Sequence, residues 1–229
     1  FRERDRTVDR EQWGRETRIR PGMNFRPARI TERIWQGGYV GRPEIEALGE
    51  LGVTHLLDLD LPFDRHLVDL DGVGVRITEL LVPDMAPMSE TDARRVAAAI
   101  HRAVAVEGGR LYVHCNAGLS RSPTAAWLYL VLTGWSADRA SAAVSAASPR
   151  LGAPDSLLVS ALDLESLRAW FQRPRWELWR RHPRHQGDEI LGTYPDEASA
   201  ETERDRQVAR YAAAAARAGE PRPETWHRV

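Results

Sequence analysis

His114-Cys115-Asn116-Ala117-Gly118-Leu119-Ser120-Arg121-Ser122 is the segment that determines the predicted fold. Before it comes a short β-like run, residues 110–114, with the apolar centre Leu-Tyr-Val. After it, residues 122–133 are strongly apolar, as is typical of a buried helix. Ala117 and Gly118 are small enough for the backbone between them to turn tightly. The sequence therefore predicts a strand, a tight loop and a helix in that order.

The predicted loop has the chemistry of an anion site. Successive backbone N–H groups in such a loop can point at one position, and the positive end of the following helix adds to the field there. Both effects favour a bound phosphate, and both favour a thiolate at Cys115. The guanidinium of Arg121 suits two phosphate oxygens, and the hydroxyl of Ser122 can donate a hydrogen bond to the sulfur. We predict that substrate is bound by Asn116, Ala117, Gly118, Leu119, Ser120 and Arg121.

A thiolate that attacks phosphorus needs a proton donor for the leaving oxygen. Asp84 is the candidate, because it lies 31 residues before Cys115 in a proline-flanked loop between a predicted strand and a predicted helix. The same carboxylate could activate water in a second step. Three other acids are alternative candidates, but they lie farther from the expected position and are expected to be strand-end and turn residues: Asp58, Asp60 and Asp64.

The flanking sequence predicts an α/β domain over residues 29–172. Predicted strands lie at 33–36, 54–59, 74–81 and 110–114, and predicted helices at 43–51, 89–106, 122–133, 137–147 and 155–171. We expect a central, mostly parallel sheet of four to five strands flanked by helices. Residues 1–28 are predicted to be an arginine-rich arm, and residues 173–229 a helical C-terminal extension with a helix over 196–218.

Composition narrows the possible functions. The formal net charge is -1, so no overall field attracts nucleic acid, and none is expected as a partner. No apolar run approaches the roughly 18 residues of a membrane span. The single cysteine excludes an internal disulfide and suits a reducing compartment, so we expect a cytoplasmic protein. His182 and His185 are expected to be solvated, and neither a metal site nor a cofactor is predicted.

Residues 114–122 resemble the His-Cys-x-x-Gly-x-x-Arg-Ser/Thr signature of protein tyrosine phosphatases. They are more similar still to the His-Cys-x-Ala-Gly-x-Ser-Arg-Ser form of dual-specificity phosphatases. The resemblance extends over residues 30–172 and implies a dual-specificity phosphatase-like fold. His114 is expected to set the geometry of the nucleophile and to tune the thiolate. Asp155 departs from the family pattern, which has Asn there, and this puts a supporting hydrogen bond to the loop in doubt.

The predicted function is that of a protein phosphatase. Such an enzyme would act on phosphotyrosine, and also on phosphoserine and phosphothreonine, through a cysteinyl-phosphate intermediate. The uncharged loop positions Asn116, Leu119 and Ser120 argue against polyphosphoinositides. Two alternatives stay open: a phosphatase of the same mechanism for a lipid, a glycan or an RNA 5′ phosphate, and a catalytically silent phosphopeptide-binding module. The oligomeric state is not predicted.

Overall fold

The computed structural model describes residues 27–60, 74–148, 153–173, 176–181, 187–194, 196–218 and 226–228. Its strands before residue 173 are β1 (Ala28–Arg29), β2 (Ile34–Gly37), β3 (His55–Asp58), β4 (Arg76–Glu79) and β5 (Leu111–His114). Three more follow: β6 (Trp176–Arg181), β7 (Gly187–Tyr194) and β8 (Trp226–Arg228).

The described strands form one sheet in the order β1-β2-β5-β3-β4-β7-β6-β8. The strands β2, β5, β3, β4 and β7 are parallel to their neighbours within this run, and β1, β6 and β8 pair antiparallel. In register, Asp58 and Gly37 both lie beside His114. The carboxyl ends of β2, β3 and β5 therefore meet at one edge of the sheet, which is where open parallel sheets place their sites.

Helices cover both faces of the sheet. They are α1 (Arg42–Glu50), α2 (Glu90–His101), α3 (Arg121–Leu132), α4 (Ala137–Ala147), α5 (Ser156–Val159), α6 (Leu164–Phe171) and α7 (Glu197–Ala218). A π-helical turn over Arg102–Val106 continues α2. Ser89 caps α2 as predicted, because its side chain accepts a hydrogen bond from the Asp92 amide at 3.0 Å.

The core has two layers because neighbouring strand residues point to opposite faces. Leu57 and Val113 pack with α2 and α3 on one face, and Leu56 and Tyr112 pack with α1 on the other. Every residue of α3 is buried. The helix that follows the loop is thus held from all sides, and it fixes the position of the loop's C-terminal end.

The predicted α/β fold is confirmed, and the helix expected over 196–218 is present as α7. Two features were not predicted. The helix expected over 155–171 is divided into α5 and α6, because Asp163 caps a new helix by accepting hydrogen bonds from the Glu165 and Ser166 amides at 3.1 and 3.0 Å. In addition, β6, β7 and β8 extend the sheet beyond β4. The predicted division into an arm, a domain and an extension stays a prediction.

Candidate active site

Backbone contacts hold the loop between β5 and α3 against the end of β2. The amide of Tyr39 donates a hydrogen bond to the carbonyl oxygen of Asn116 at 2.9 Å. Gly118 has φ of +71°, and a Cβ atom there would lie 2.4 Å from the carbonyl carbon of Gly37 and from the amide nitrogen of Gly38. Because both contacts are with backbone, a side chain could not be accommodated by a rotamer change. The loop conformation therefore requires glycine at this position.

Cys115 is buried immediately after β5, with its sulfur 3.5 Å from the hydroxyl oxygen of Ser122. That hydroxyl is also 3.0 Å from the carbonyl oxygen of Gly37 and 3.1 Å from the side-chain oxygen of Gln36. A hydroxyl has one proton to donate, so the three acceptors share it. The Ser122 hydroxyl is therefore within reach of the sulfur, and its role in assisting the departure of the thiolate stays a prediction.

The guanidinium of Arg121 is buried and bound by two carboxylates from different loops. Its Nη1 donates to Asp60 Oδ1 at 2.8 Å, and its Nη2 donates to Asp84 Oδ2 at 3.1 Å. The side chain of Asp60 is 20% exposed, whereas that of Asp84 is 55% exposed. The Nε atom is buried without a hydrogen-bond partner among the described residues. The Nε donor of Arg121 is therefore available for another acceptor, and its Nη2 is bound by the more exposed of the two carboxylates.

His114 is fixed by a buried acid. Its Nε2 lies 3.1 Å from Oδ2 of Asp58, and the other carboxylate oxygen accepts a hydrogen bond from the Asp60 amide at 2.8 Å. Asp58 is the last residue of β3, as expected for a strand-end residue. One carboxylate therefore orients both the residue before the nucleophile and the turn that brings Asp60 to Arg121.

Asp155 supports the loop although it replaces the asparagine of the family pattern. Its side chain accepts a hydrogen bond from the hydroxyl of Ser120, and its own amide donates to the hydroxyl oxygen of Thr124 at 2.9 Å. It also caps α5 through the Leu157 amide at 3.0 Å. The supporting hydrogen bond that the sequence left in doubt is present, and it is formed by a group that can carry a charge.

Tyr112, a buried residue of β5, holds the chain segment at Gly38 against which the loop packs. Its hydroxyl donates to the carbonyl oxygen of Gly38 at 3.0 Å. Burial raises the pKa of this phenol far above its ordinary value, and the neighbouring Cys115 raises it further. Tyr112 is therefore a neutral hydrogen-bond donor, and it holds the residues against which the loop packs.

The structure brings together the residues predicted from the sequence. Cys115, Arg121, Ser122 and Asp84 lie at one sheet edge with His114 behind them. Of the loop positions, Asn116, Ala117 and Leu119 are exposed, Ser120 is half-buried and Gly118 is buried. Asp64, His182 and His185 lie outside the described residues, and among the described ones no cluster of three or more potential metal ligands occurs.

Three residues of the site were not predicted to take part in it: Gln36, Asp58 and Asp60. Asp60 was expected to be a turn residue only, and its contact with Arg121 corrects that expectation. The signal that could have found Gln36 and Asp58 is polarity inside an otherwise apolar strand, because a buried polar side chain needs a partner. Nothing in the spacing of Asp60 from Cys115 indicates their proximity, which depends on the parallel pairing of β3 with β5.

The fold and the loop together are those of cysteine-dependent phosphatases of the dual-specificity type. The chain belongs to the family described as "Swiss Army Knife protein, DSP-PTPase phosphatase domain", which matches residues 40–164, more than half of the chain. The resemblance inferred from residues 114–122 is thereby confirmed.

Relatives of known sequence agree with this assignment. The chain is 36% identical over 108 residues to dual specificity protein phosphatase 26 of Bos taurus, a match covering 44% of this chain and 51% of the relative. The Homo sapiens protein of the same name is 32% identical over 107 residues, with the same coverage of 44% and 51%. The chain thus spans about half the length of these curated relatives.

Solved structures agree in fold. The human tyrosine phosphatase-like serine/threonine/tyrosine-interacting protein superposes with a TM-score of 0.52 and 21% identity, covering 63% of this chain and 97% of that one. PTPMT1 in complex with PI(5)P gives a TM-score of 0.52 at 19% identity, covering 63% of this chain and 96% of that one. At these identities the likeness concerns the fold alone.

Proposed function

We propose that this protein hydrolyses phosphate monoesters of phosphoproteins through a covalent cysteinyl-phosphate intermediate. The observation that carries the proposal is the position of the Cys115 sulfur at the start of the loop, 3.5 Å from Ser122, with Arg121 in the first turn of the next helix. Membership of the dual-specificity phosphatase family supports it.

In the first step the Cys115 thiolate attacks phosphorus. The phosphorus–sulfur bond forms, the bond to the substrate oxygen breaks, and Asp84 gives its proton to that oxygen. The loop N–H groups and Arg121 stabilise the charge that spreads over the phosphoryl oxygens. Nη2 of Arg121 is held by Asp84 before substrate arrives, so a phosphate would displace this carboxylate from the guanidinium. The protonated form of Asp84, which takes its proton from solvent, would then act as the acid.

In the second step water attacks the phosphorus of the intermediate. The phosphorus–sulfur bond breaks, its electron pair returns to sulfur, and Asp84, now deprotonated, accepts a proton from the water. Ser122 donates a hydrogen bond to the departing thiolate. The distance of 3.5 Å between this hydroxyl and the sulfur supports the role, as do the neighbouring acceptors Gly37 and Gln36, which restrict where the hydroxyl can lie.

The phosphoprotein substrate is the finer part of the proposal. The exposed loop positions Asn116 and Leu119 are uncharged, and the two acids on Arg121 add negative charge to the site. Both features suit a single phosphate better than a polyphosphorylated lipid. Preference for tyrosine over serine or threonine is left to measurement, and cytoplasmic location stays a prediction supported by the single cysteine. Among the described residues no helix has the length and apolarity of a membrane span.

A substrate panel tests the proposal. Wild type and Cys115→Ser are compared on an aryl phosphate, on phosphotyrosine, phosphoserine and phosphothreonine peptides, on phosphoinositide vesicles, on a phosphorylated glycan and on 5′-phosphorylated RNA. We expect Cys115-dependent phosphate release from the peptides. Faster release from a lipid, glycan or RNA would replace the phosphoprotein substrate, and peptide binding without any release would indicate a silent binding module.

A further inference from the structure

Exposed apolar side chains are concentrated at the mouth of the candidate site. Six large apolar side chains are exposed among the described residues: Tyr39, Leu81, Met85, Val106, Leu119 and Leu157. Only Val106 lies elsewhere, at the end of the π-helical turn near the amino-terminal edge of the sheet. The other five belong to segments that border the loop, and we refer to them as the apolar rim.

Three members of the rim belong to the loop or are hydrogen-bonded to residues that hold it. The Tyr39 amide binds the carbonyl oxygen of Asn116. Leu119 is part of the loop, and the Leu157 amide binds the carboxylate of Asp155, which accepts from Ser120. The backbone of these three rim residues is therefore held beside the loop, and their side chains are exposed there.

The loop of Asp84 supplies the remaining two rim residues. Leu81 follows β4 and leads into this loop, and Met85 follows the proposed acid, whose carboxylate accepts from the Met85 amide at 3.1 Å. Met85 is 86% exposed and has φ of +52°, a left-handed conformation that is unfavourable for a side chain other than glycine's. A strained residue that exposes a large apolar side chain at a site boundary is a feature of ligand contacts.

The charges near the rim favour a ligand that is apolar next to its phosphate group. Arg121 serves one phosphate and is already accompanied by Asp60 and Asp84, while Asp155 lies behind Ser120. Acidic residues beside the phosphorylated residue would be repelled by these carboxylates, whereas apolar ones would cover the rim and bury it from water.

We propose that the substrate is a phosphopeptide segment whose residues next to the phosphorylated side chain are apolar, and that the rim selects it. This inference rests on the proposed phosphoprotein phosphatase function and names the class of phosphopeptide. Met85 and Leu157 belong to adjoining segments, since the Met88 amide donates to the Leu158 carbonyl oxygen at 2.8 Å. Their exposed side chains contact the flanking residues, so discrimination resides outside the catalytic groups.

The test uses two phosphotyrosyl peptides that differ only in their flanks, Leu and Phe in one and Asp and Glu in the other. The measured quantity is the ratio of their kcat/KM values, because any general damage to catalysis cancels in it. For the full chain we expect a preference for the apolar peptide of about tenfold. In the double variant Met85→Gln/Leu157→Gln the ratio falls toward one, and in Val106→Gln, the matched exposed apolar control, it is unchanged.

Three results separate the possible failures. A wild-type ratio near one, or a preference for the acidic peptide, would refute the proposed selectivity of the apolar rim. The proposed phosphatase function would not be affected. A ratio that survives the double variant, or that falls equally in Val106→Gln, also refutes the selectivity of the rim. Cys115-dependent hydrolysis of an aryl phosphate without hydrolysis of either peptide overturns the phosphoprotein function itself, and the rim with it.

Discussion

Asp58 and His114 form a buried pair, with carboxylate Oδ2 3.1 Å from imidazole Nε2 and both side chains 2% exposed. The pair links the end of β3 to the residue before the proposed nucleophile. Because the second oxygen of Asp58 holds the Asp60 amide, the same carboxylate positions the acid that binds Arg121. Asp58, a buried residue at the end of β3, thus positions two parts of the site, His114 and the turn that carries Asp60.

Removing this carboxylate is expected to destabilise the fold. Asp58→Ala leaves a buried imidazole nitrogen and a backbone amide without their acceptor, so we expect a loss of about 2–4 kcal/mol in the free energy of unfolding. Asp58→Asn retains an acceptor and should lose about half as much. Urea unfolding measures both, with Glu46→Ala, which removes an exposed ion pair with Arg42, as a control expected to change by less than about 0.5 kcal/mol. Equal effects of Asp58→Ala and Glu46→Ala would contradict the pair's role.

The two carboxylates on Arg121 are expected to differ in function. Asp84→Ala should lower kcat by about 10²–10⁴-fold and abolish the alkaline limb of the pH–rate profile, since a general acid must be protonated to act. Asp60→Ala should retain that limb and raise KM, because it frees Arg121 from its less exposed partner and loosens its orientation. Steady-state kinetics against pH with an aryl phosphate distinguish the two. Loss of the alkaline limb in Asp60→Ala instead would reassign the acid.

Gly118 offers a matched pair of substitutions with Gly74, since the two glycines have φ of +71° and +70°. A Cβ atom at Gly74 meets nothing within 4 Å, whereas one at Gly118 meets the backbone of β2. Gly74→Ala should cost only the conformational strain, about 1–2 kcal/mol. Gly118→Ala should cost about 1–3 kcal/mol more through overpacking and should abolish activity by shifting the loop. Similar unfolding midpoints and activities for the two variants would refute the close packing of loop and strand.

The local chemistry of the site could be predicted from the sequence because it lies within nine consecutive residues. Cys115, Arg121 and Ser122 are placed by the geometry of a strand, a tight loop and a helix, all of which have local signals. Asp84 was found from the needs of the reaction and the position of its loop. The contact of Asp60 with Arg121 was not predicted. It results from the parallel pairing of β3 with β5, for which the sequence carries no local signal.

The same reasoning explains the differences in the fold. The break between α5 and α6 depends on the side chain of Asp163 as a cap within an otherwise apolar helical pattern. The strands after residue 173 depend on contacts with β4, where Ile77 and Thr78 pair with Gly187 and Asp188. The exposed edge of β4 can pair with any segment that reaches it, so the extension of the sheet depends on long-range pairing and not on a local sequence signal.

A second cluster of charges, at the opposite edge of the sheet, predicts how stability depends on pH. Glu107 accepts from Nε of Arg102 at 2.8 Å, lies 2.6 Å from Nε2 of His55 and pairs with Arg76. Nδ1 of His55 is 2.9 Å from the Thr54 hydroxyl. Burial lowers the pKa of His55 despite the hydrogen bond that its Nε2 donates to Glu107, and Arg76 and Arg102 lower it further. Burial by itself would raise the pKa of Glu107, but the hydrogen bonds from His55 and Arg102 outweigh it and the pKa is lowered.

Because the pKa values of His55 and Glu107 are both lowered in the folded protein, the free energy of unfolding decreases as the pH falls. The unfolded chain binds a proton at His55 near the ordinary value of 6.5, before the folded chain does, so stability falls as the pH decreases below that value. Glu107 adds a further loss below its ordinary value of 4.5. We expect His55→Gln to flatten the decline in unfolding free energy between about pH 7 and pH 5. Parallel urea-midpoint curves for wild type and His55→Gln over that range would contradict this.

The most direct test of the central claim is detection of the intermediate on Cys115. An aryl phosphate is mixed with wild type, Asp84→Ala and Cys115→Ser, the reaction is quenched in acid, and the intact mass and the modified peptide are determined. We expect a single added phosphoryl group on the peptide containing Cys115 in wild type. The hydrolysing water would lack its base in Asp84→Ala, so the adduct should persist longer there, and Cys115→Ser should release no phosphate. Phosphate release by Cys115→Ser at the wild-type rate, or a phosphoryl group on another residue, would contradict the account.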